Sequence, residues 1–227
     1  MKRLITFLLV LNCLVLNILS QERYSANIAI GVKAGTTLSQ TMFAPGVQQK
    51  MIPGMLCGVA VRYIEENHFG VIGELNFMQR GWKEVFEETP YSFSRRLSYI
   101  QIPLLAHIYF GNERARFFFN AGPEVGFLLT DKPKANFNYT DLSSVPDFPI
   151  TNRNTAQFTM DIKNKIDYGI SAGLGLEVSV NRKNSLLLEG RFYYGLNNLF
   201  SANKKDIFSA SNGISIMVSL GYMFHIK

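Results

Sequence analysis

The stretch DYGISAGLGLEV, residues 167–178, decides the fold. Tyr168, Ile170, Ala172, Leu174, Leu176 and Val178 occupy alternate positions, and Asp167, Gly169, Ser171, Gly173, Gly175 and Glu177 lie between them. Successive residues of a strand point to opposite faces, so this is a strand with one wholly apolar face and one small, polar face. A soluble β-sandwich also alternates, but a solvated outer face has no use for Gly169, Gly173 and Gly175, because glycine weakens a strand. The crowded interior of a narrow barrel does. The apolar face is therefore expected to point out, to lipid, and the glycine face in.

The same period recurs seven more times. Apolar positions alternate over Ile28–Ala34, Met55–Tyr63, Phe69–Phe77, Ile100–Phe110, Phe117–Phe127, Leu186–Tyr194 and Ile214–Phe224. Eight such segments predict an all-β fold, an eight-stranded antiparallel up-and-down transmembrane β-barrel. Each strand is expected to supply roughly 9–11 residues, the length that crosses a membrane at a tilt. Closure removes the sheet edges that lipid could not satisfy. Connections alternate in length: 65–68, 111–115 and 180–184 read as tight turns, and 36–53, 82–96, 130–165 and 198–212 as long loops. That asymmetry belongs to outer-membrane barrels, with the turns in the periplasm and the loops outside. Aromatic residues near strand ends predict two interfacial girdles: Tyr63, Phe69, Phe110, Phe117, Tyr222 and Phe224 at the turn end, and Phe77, Trp82 and Phe127 at the other. Pro103 breaks the strand rules and is expected to mark a bulge.

Residues 1–20 read as a signal peptide, and 21–227 as the barrel domain. Lys2 and Arg3 precede a run from Leu4 to Leu19 interrupted only by Thr6, Asn12, Cys13 and Asn17, and Ser20 offers a small residue for cleavage. Asn12 before Cys13, and the apolar run after it, argue against a lipid-modified cysteine. Cys57 is then the one mature cysteine, which excludes an intramolecular disulfide. The formal charge is +6, and losing Lys2 and Arg3 leaves +4. Lys33, Lys50, Lys83, Lys132 and Lys204 are scattered along the chain without a basic stripe, so nucleic acid is not an expected partner.

Several segments resemble the PorT-like family of small bacterial outer-membrane β-barrel proteins. They are Glu74-Leu75-Asn76-Phe77 to Gly81-Trp82, Leu97 to Leu105, Asn120 to Gly126, Asp167 to Glu177, and Arg191 to Leu196. The resemblance covers nearly all of the mature chain and implies an eight-stranded barrel in the outer membrane of Gram-negative bacteria. The family's name-giving member is associated with a protein secretion pathway, which makes an accessory role in secretion one alternative.

The glycine face also carries charge. Lys33, Arg62, Arg80 and Arg191 face Glu74, Glu124, Asp167, Glu177 and Glu189. Buried charges must pair, so an interior polar network is expected to close the lumen, with Arg191 pairing to Glu74, Glu177 or Glu189. A small ion or solute channel is the competing reading. His68, His107 and His225 are too far apart for a metal site, and Asp131, Asp141 and Asp147 fit no calcium loop. No histidine falls at the outer rim, so the chain is not expected to be an enzyme, and no cofactor is predicted. Residues 130–165 are the longest loop and carry Phe137, Tyr139, Phe148 and Phe158, expected to form a recognition surface. The expected role is structural or surface interaction by a monomer, with outer-membrane lipid and other envelope proteins as partners.

Overall fold

The computed structural model describes residues 27–86, 89–149, 153–202 and 206–226; the signal peptide assigned to 1–20 lies outside them. The strands are β1 (Asn27–Ala44), β2 (Gln49–Lys50), β3 (Ile52–Glu66), β4 (Phe69–Glu84), β5 (Phe93–Gly111), β6 (Ala115–Ala135), β7 (Ile166–Asn181), β8 (Asn184–Asn198) and β9 (Ala210–His225). β1 and β3–β9 pair in chain order, and β1–β9 pairing closes the ring; β2 is a two-residue addition to the upper end of β4. Every pairing is antiparallel. The result is a closed eight-stranded barrel.

The faces follow the alternation. Ile30, Val59, Leu75, Leu104, Phe119, Leu174, Leu188 and Leu220 are exposed on the outer wall, while Arg62, Glu74, Asn120, Glu177 and Arg191 are buried inside. Phe77, Ile100, Phe127 and Ile166 lie side by side across β4–β7 and form the upper edge of the apolar belt there. Leu174 sits in mid-belt, so Leu174→Arg is expected to cost about 2–4 kcal/mol of folding stability in lipid. Urea titration in phospholipid vesicles reads this directly, and an unchanged midpoint would mean that this wall does not face acyl chains.

Strand length differs from expectation. The apolar runs have the expected length, but the strands continue past them to 15 residues in β3 and 21 in β6. A 16-residue strand tilted about 40° rises roughly 40 Å, against an apolar band of about 25 Å. The wall therefore stands roughly 15 Å above the belt on the long-loop side. The long connections shrink to 45–51, 85–92, 136–165 and 199–209.

Above the belt the hydrophobic pattern inverts. Gln79, Lys83, Ser94, Arg96 and Lys132 face out, while Phe43, Trp82, Phe93 and Leu97 are buried inside. Remote in sequence, Lys50, Lys83 and Lys132 thus meet on one outer surface. The register does not shift at Pro103; the bulge falls at Ser98/Tyr99, opposite Thr130 and Leu128, and leaves Leu129 as the extra residue of β6. One extra residue reverses the facing of the strand beyond it, so Asp131 turns inward although Glu124 and Gly126 already point inward below it.

Candidate functional site: the filled lumen

The lower lumen is crossed by ion pairs. Arg62 on β3 donates from Nη1 and Nη2 to Glu177 Oε2 and Oε1 on β7, at 2.6 and 2.9 Å. Arg191 on β8 donates to both oxygens of Glu74 on β4, each at 2.8 Å. In a ring of eight, β3 and β7 are diametrically opposed, and so are β4 and β8. The two bidentate pairs are cross-braces, with the fork geometry in which arginine binds carboxylate best. A third pair joins Arg80 to Asp167 at 2.7 Å, with the guanidinium held between the rings of Tyr99 and Tyr193. Tyr193 Oη donates to the same Asp167 oxygen at 2.8 Å.

Around Glu74 the network branches. Lys33 Nζ donates to it at 2.6 Å and Asn76 Nδ2 at 2.8 Å. Arg191 also binds Glu189, which accepts from Asn120 Nδ2 at 2.8 Å. Arg191 thus meets two of its three expected partners, Glu74 and Glu189; Glu177 belongs to Arg62. Glu124 departs from the expected pairing. Among the described residues no cation lies within the 4 Å of an ion pair, and Ser171 Oγ donates to it at 2.6 Å. Lys33 and Arg191 both serve Glu74 and Glu189, Arg62 serves Glu177 and Arg80 serves Asp167, which leaves no cation for Glu124. A cavity of about 30 Å³, room for a single water, lies beside Lys33, Glu74 and Glu189.

The upper lumen is filled mainly by aromatic rings. Phe43, Trp82, Phe93, Phe158, Phe200 and Phe208 form one buried cluster with Leu97, Tyr99, Phe148, Ile162 and Leu199. Phe93 and Phe158 approach to 4.5 Å between ring centroids, and Phe43 and Trp82 to 5.3 Å, edge to face. This corrects two expectations. Trp82 is not a girdle residue, since it is 0% exposed and points into the lumen. Phe137, Tyr139, Phe148 and Phe158 are not an exposed recognition surface: Phe148 and Phe158 are buried in the cluster, and Phe137 and Tyr139 pack against it. Water around so many rings drives the longest loop inward, each fully buried aromatic contributing roughly 1.5–3 kcal/mol. Tyr63, Phe69, Phe110, Phe117, Phe127, Tyr222 and Phe224 are exposed on the outer wall, and Phe77 is half-buried there.

Polar latches hold that loop down. Arg95 Nε donates to Asp131 Oδ1 at 2.8 Å, and Arg95 Nη1 to the carbonyls of Gln157 and Met160 at 3.1 and 2.6 Å. The buried Gln157 donates to Glu84 at 2.7 Å, and Arg153 binds Glu84 at 3.3 Å and the Val85 carbonyl at 2.6 Å. None of these residues stands out in the sequence. Arg95 and Glu84 fall in what reads as a loop, and only the continuation of β4 and β5 turns them inward.

The short-turn end holds another group that chain order conceals. Ser185 Oγ is 3.1 Å from His225 Nε2, and His225 Nδ1 is 3.2 Å from Asn27 Oδ1. The trio has the composition of a nucleophile site, but Ser185 is fully buried and its one hydroxyl proton is donated to Glu177. The group clamps the β1–β9 seam to the β7–β8 hairpin. His68 and His107 stand elsewhere, in a turn and beside Asn120. Asp131 is held by Arg95, and Asp141 accepts from the Ser143 amide. Among the described residues no cluster of three metal-ligating side chains forms.

A belted barrel with a filled lumen and an inturned loop is an integral membrane protein of the bacterial envelope. The chain belongs to the family described as outer membrane protein beta-barrel domain, whose sequence profile matches residues 19–201. It resides in the bacterial outer membrane, so the short turns are periplasmic and the long-loop end faces the cell surface. No curated protein sequence matches it. Among solved structures it is similar to the outer membrane protein OprG from Pseudomonas aeruginosa, at 11% identity, covering 89% of this chain and 97% of that one with a TM-score of 0.49. It is also similar to Ail, the attachment invasion locus protein of Yersinia pestis, solved in complex with the heparin analogue sucrose octasulfate. That match has 11% identity, 88% and 99% coverage and a TM-score of 0.42.

Proposed function

We propose that the protein is a non-conducting surface scaffold: a braced barrel whose rigid, loop-closed rim takes part in interactions at the cell surface and performs no chemistry. The observation that supports this is the filling of the lumen at two levels, by cross-braced charges below and by an aromatic stopper above. An eight-stranded barrel has an interior just wide enough for side chains, and here they occupy it. The recognition surface, on this reading, is the polar exterior of the rim rather than the buried aromatics of residues 136–165. The chain acts as a monomer, is a PorT-like barrel by its strand motifs, and reaches the membrane with residues 1–20 as signal peptide.

Planar-bilayer recording of the refolded barrel tests the closed lumen. The expected record has no steady conductance above background. Reproducible unitary steps from the unmutated protein would overturn the scaffold reading in favour of a channel.

A further inference from the structure

Above the upper edge of the apolar belt, the outer wall of β4, β5 and β6 becomes strongly basic. Gly81, Arg96 and Lys132 lie in one cross-strand row, and Lys83, Ser94 and Lys134 in the next, which β2 extends with Lys50. All five cations are exposed. Among the described residues, neither row holds a carboxylate, and none of the five side chains makes an ion pair. Like charges placed opposite one another destabilise a sheet, so setting Arg96 beside Lys132 and Lys50 beside Lys83 works against the fold. Among the described residues, Gln40, Met42, Leu196 and Asn212, outward near the upper ends of β1, β8 and β9, are uncharged.

The depth of the patch narrows the choice of ligand. Arg96 is four residues above Ile100 and Lys132 five above Phe127, which puts their row roughly 10 Å above the belt and the next row roughly 15 Å above it. Headgroups fill about the first 5–8 Å beyond the hydrocarbon, and lysine and arginine stems reach several ångströms toward it. Lys83, Arg96, Lys132 and Lys134 line a shallow groove of about 550 Å³ on the outer wall above the belt. Gly81, with no side chain, lets the Arg96 guanidinium cross β4 to the Pro53 carbonyl at 3.4 Å.

We infer that this patch binds the phosphate groups of an anionic glycolipid in the outer leaflet, with the acyl chains of the same molecule against the belt. Arginine offers a planar fork to phosphate and the lysines supply mobile point charges. This goes beyond the scaffold reading and holds whether or not the lumen conducts.

The probe is diphosphoryl lipid A, titrated against the full refolded protein in zwitterionic detergent, with fully dephosphorylated lipid A as its neutral counterpart. The combined variant Lys83→Gln, Arg96→Gln, Lys132→Gln and Lys134→Gln should bind the phosphorylated lipid on the order of 100-fold more weakly than the unmutated protein, since each basic residue near a charged surface contributes severalfold. Lys132→Gln with Lys134→Gln should fall between. Heat-modifiable gel migration, unchanged in both variants, checks that the barrel has formed. The neutral lipid should bind unmutated and variant proteins alike, and only the phosphorylated lipid should lose affinity as salt rises. Equal binding of phosphorylated lipid by the unmutated protein and both variants would overturn the inference. So would a soluble phosphorylated disaccharide binding as tightly as lipid A, which would make the ligand a free polyanion rather than a lipid.

Discussion

Replacing Arg62 with alanine is expected to cost about 3–5 kcal/mol, the usual penalty for leaving a buried charge without its partner. Arg62 is fully buried, and its guanidinium makes both bonds that span the lumen to Glu177. Without it, Glu177 keeps Ser185, and His225 at 3.5 Å, neither a permanent cation. Arg191→Ala should cost less, because Lys33 stays 2.6 Å from Glu74. Urea unfolding in lipid vesicles gives both values. Glu177→Gln added to Arg62→Ala should recover part of the loss, and the double-mutant cycle isolates the coupling. Zero coupling between Arg62 and Glu177, or a larger loss from Arg191→Ala, would contradict this arrangement of braces.

The second large effect belongs to the stopper. Trp82→Ala should destabilise the barrel by about 3–5 kcal/mol, since removing a buried indole forfeits its transfer energy and leaves a cavity. Trp82→Phe, which keeps a ring against Phe43 and Phe200, should cost less than half as much. The chain has one tryptophan, so intrinsic fluorescence reports this site alone. Emission should be blue-shifted, shielded from acrylamide, and weakly quenched by lipids brominated on their acyl chains. Strong quenching by those lipids would return Trp82 to the membrane interface and remove the centre of the stopper.

The sequence revealed the barrel, and the facing of each strand, wherever the wall touches lipid. There the outward residues must be apolar, and Leu174, Leu188 and Leu220 keep strict phase with the inward Gly173, Glu189 and Ser219. The legible part stops at the edge of the belt. Above it, water lies outside and the hydrophobic residues turn in, so Trp82 and Phe93 carry the pattern of a soluble sheet and the strands read as loops. The interior charges were visible as a set, but their pairing depends on which strands oppose each other across the ring. Strands four apart in a ring of eight are opposite, a relation that joins β3 to β7 and β4 to β8 and was available from strand order alone. The aromatics of residues 136–165 carry no local mark that separates a folded stopper from an exposed loop. Only the space left by the wall residues assigns them.

The extra residue at Leu129 also bears on how this wall can change over generations. Side chains alternate with a period of two, and the bulge resets that count once, setting Asp131 against Arg95 and Lys132 against the outside. Removing the extra residue at Leu129, or inserting one more between Leu128 and Asp131, would exchange the roles of Asp131 and Lys132, driving a cation among the rings and leaving Arg95 without its acid. A change of two residues preserves both. Length variation in the upper wall of β6 is therefore expected to be inherited in even steps, whereas the connections beyond it are free of that parity.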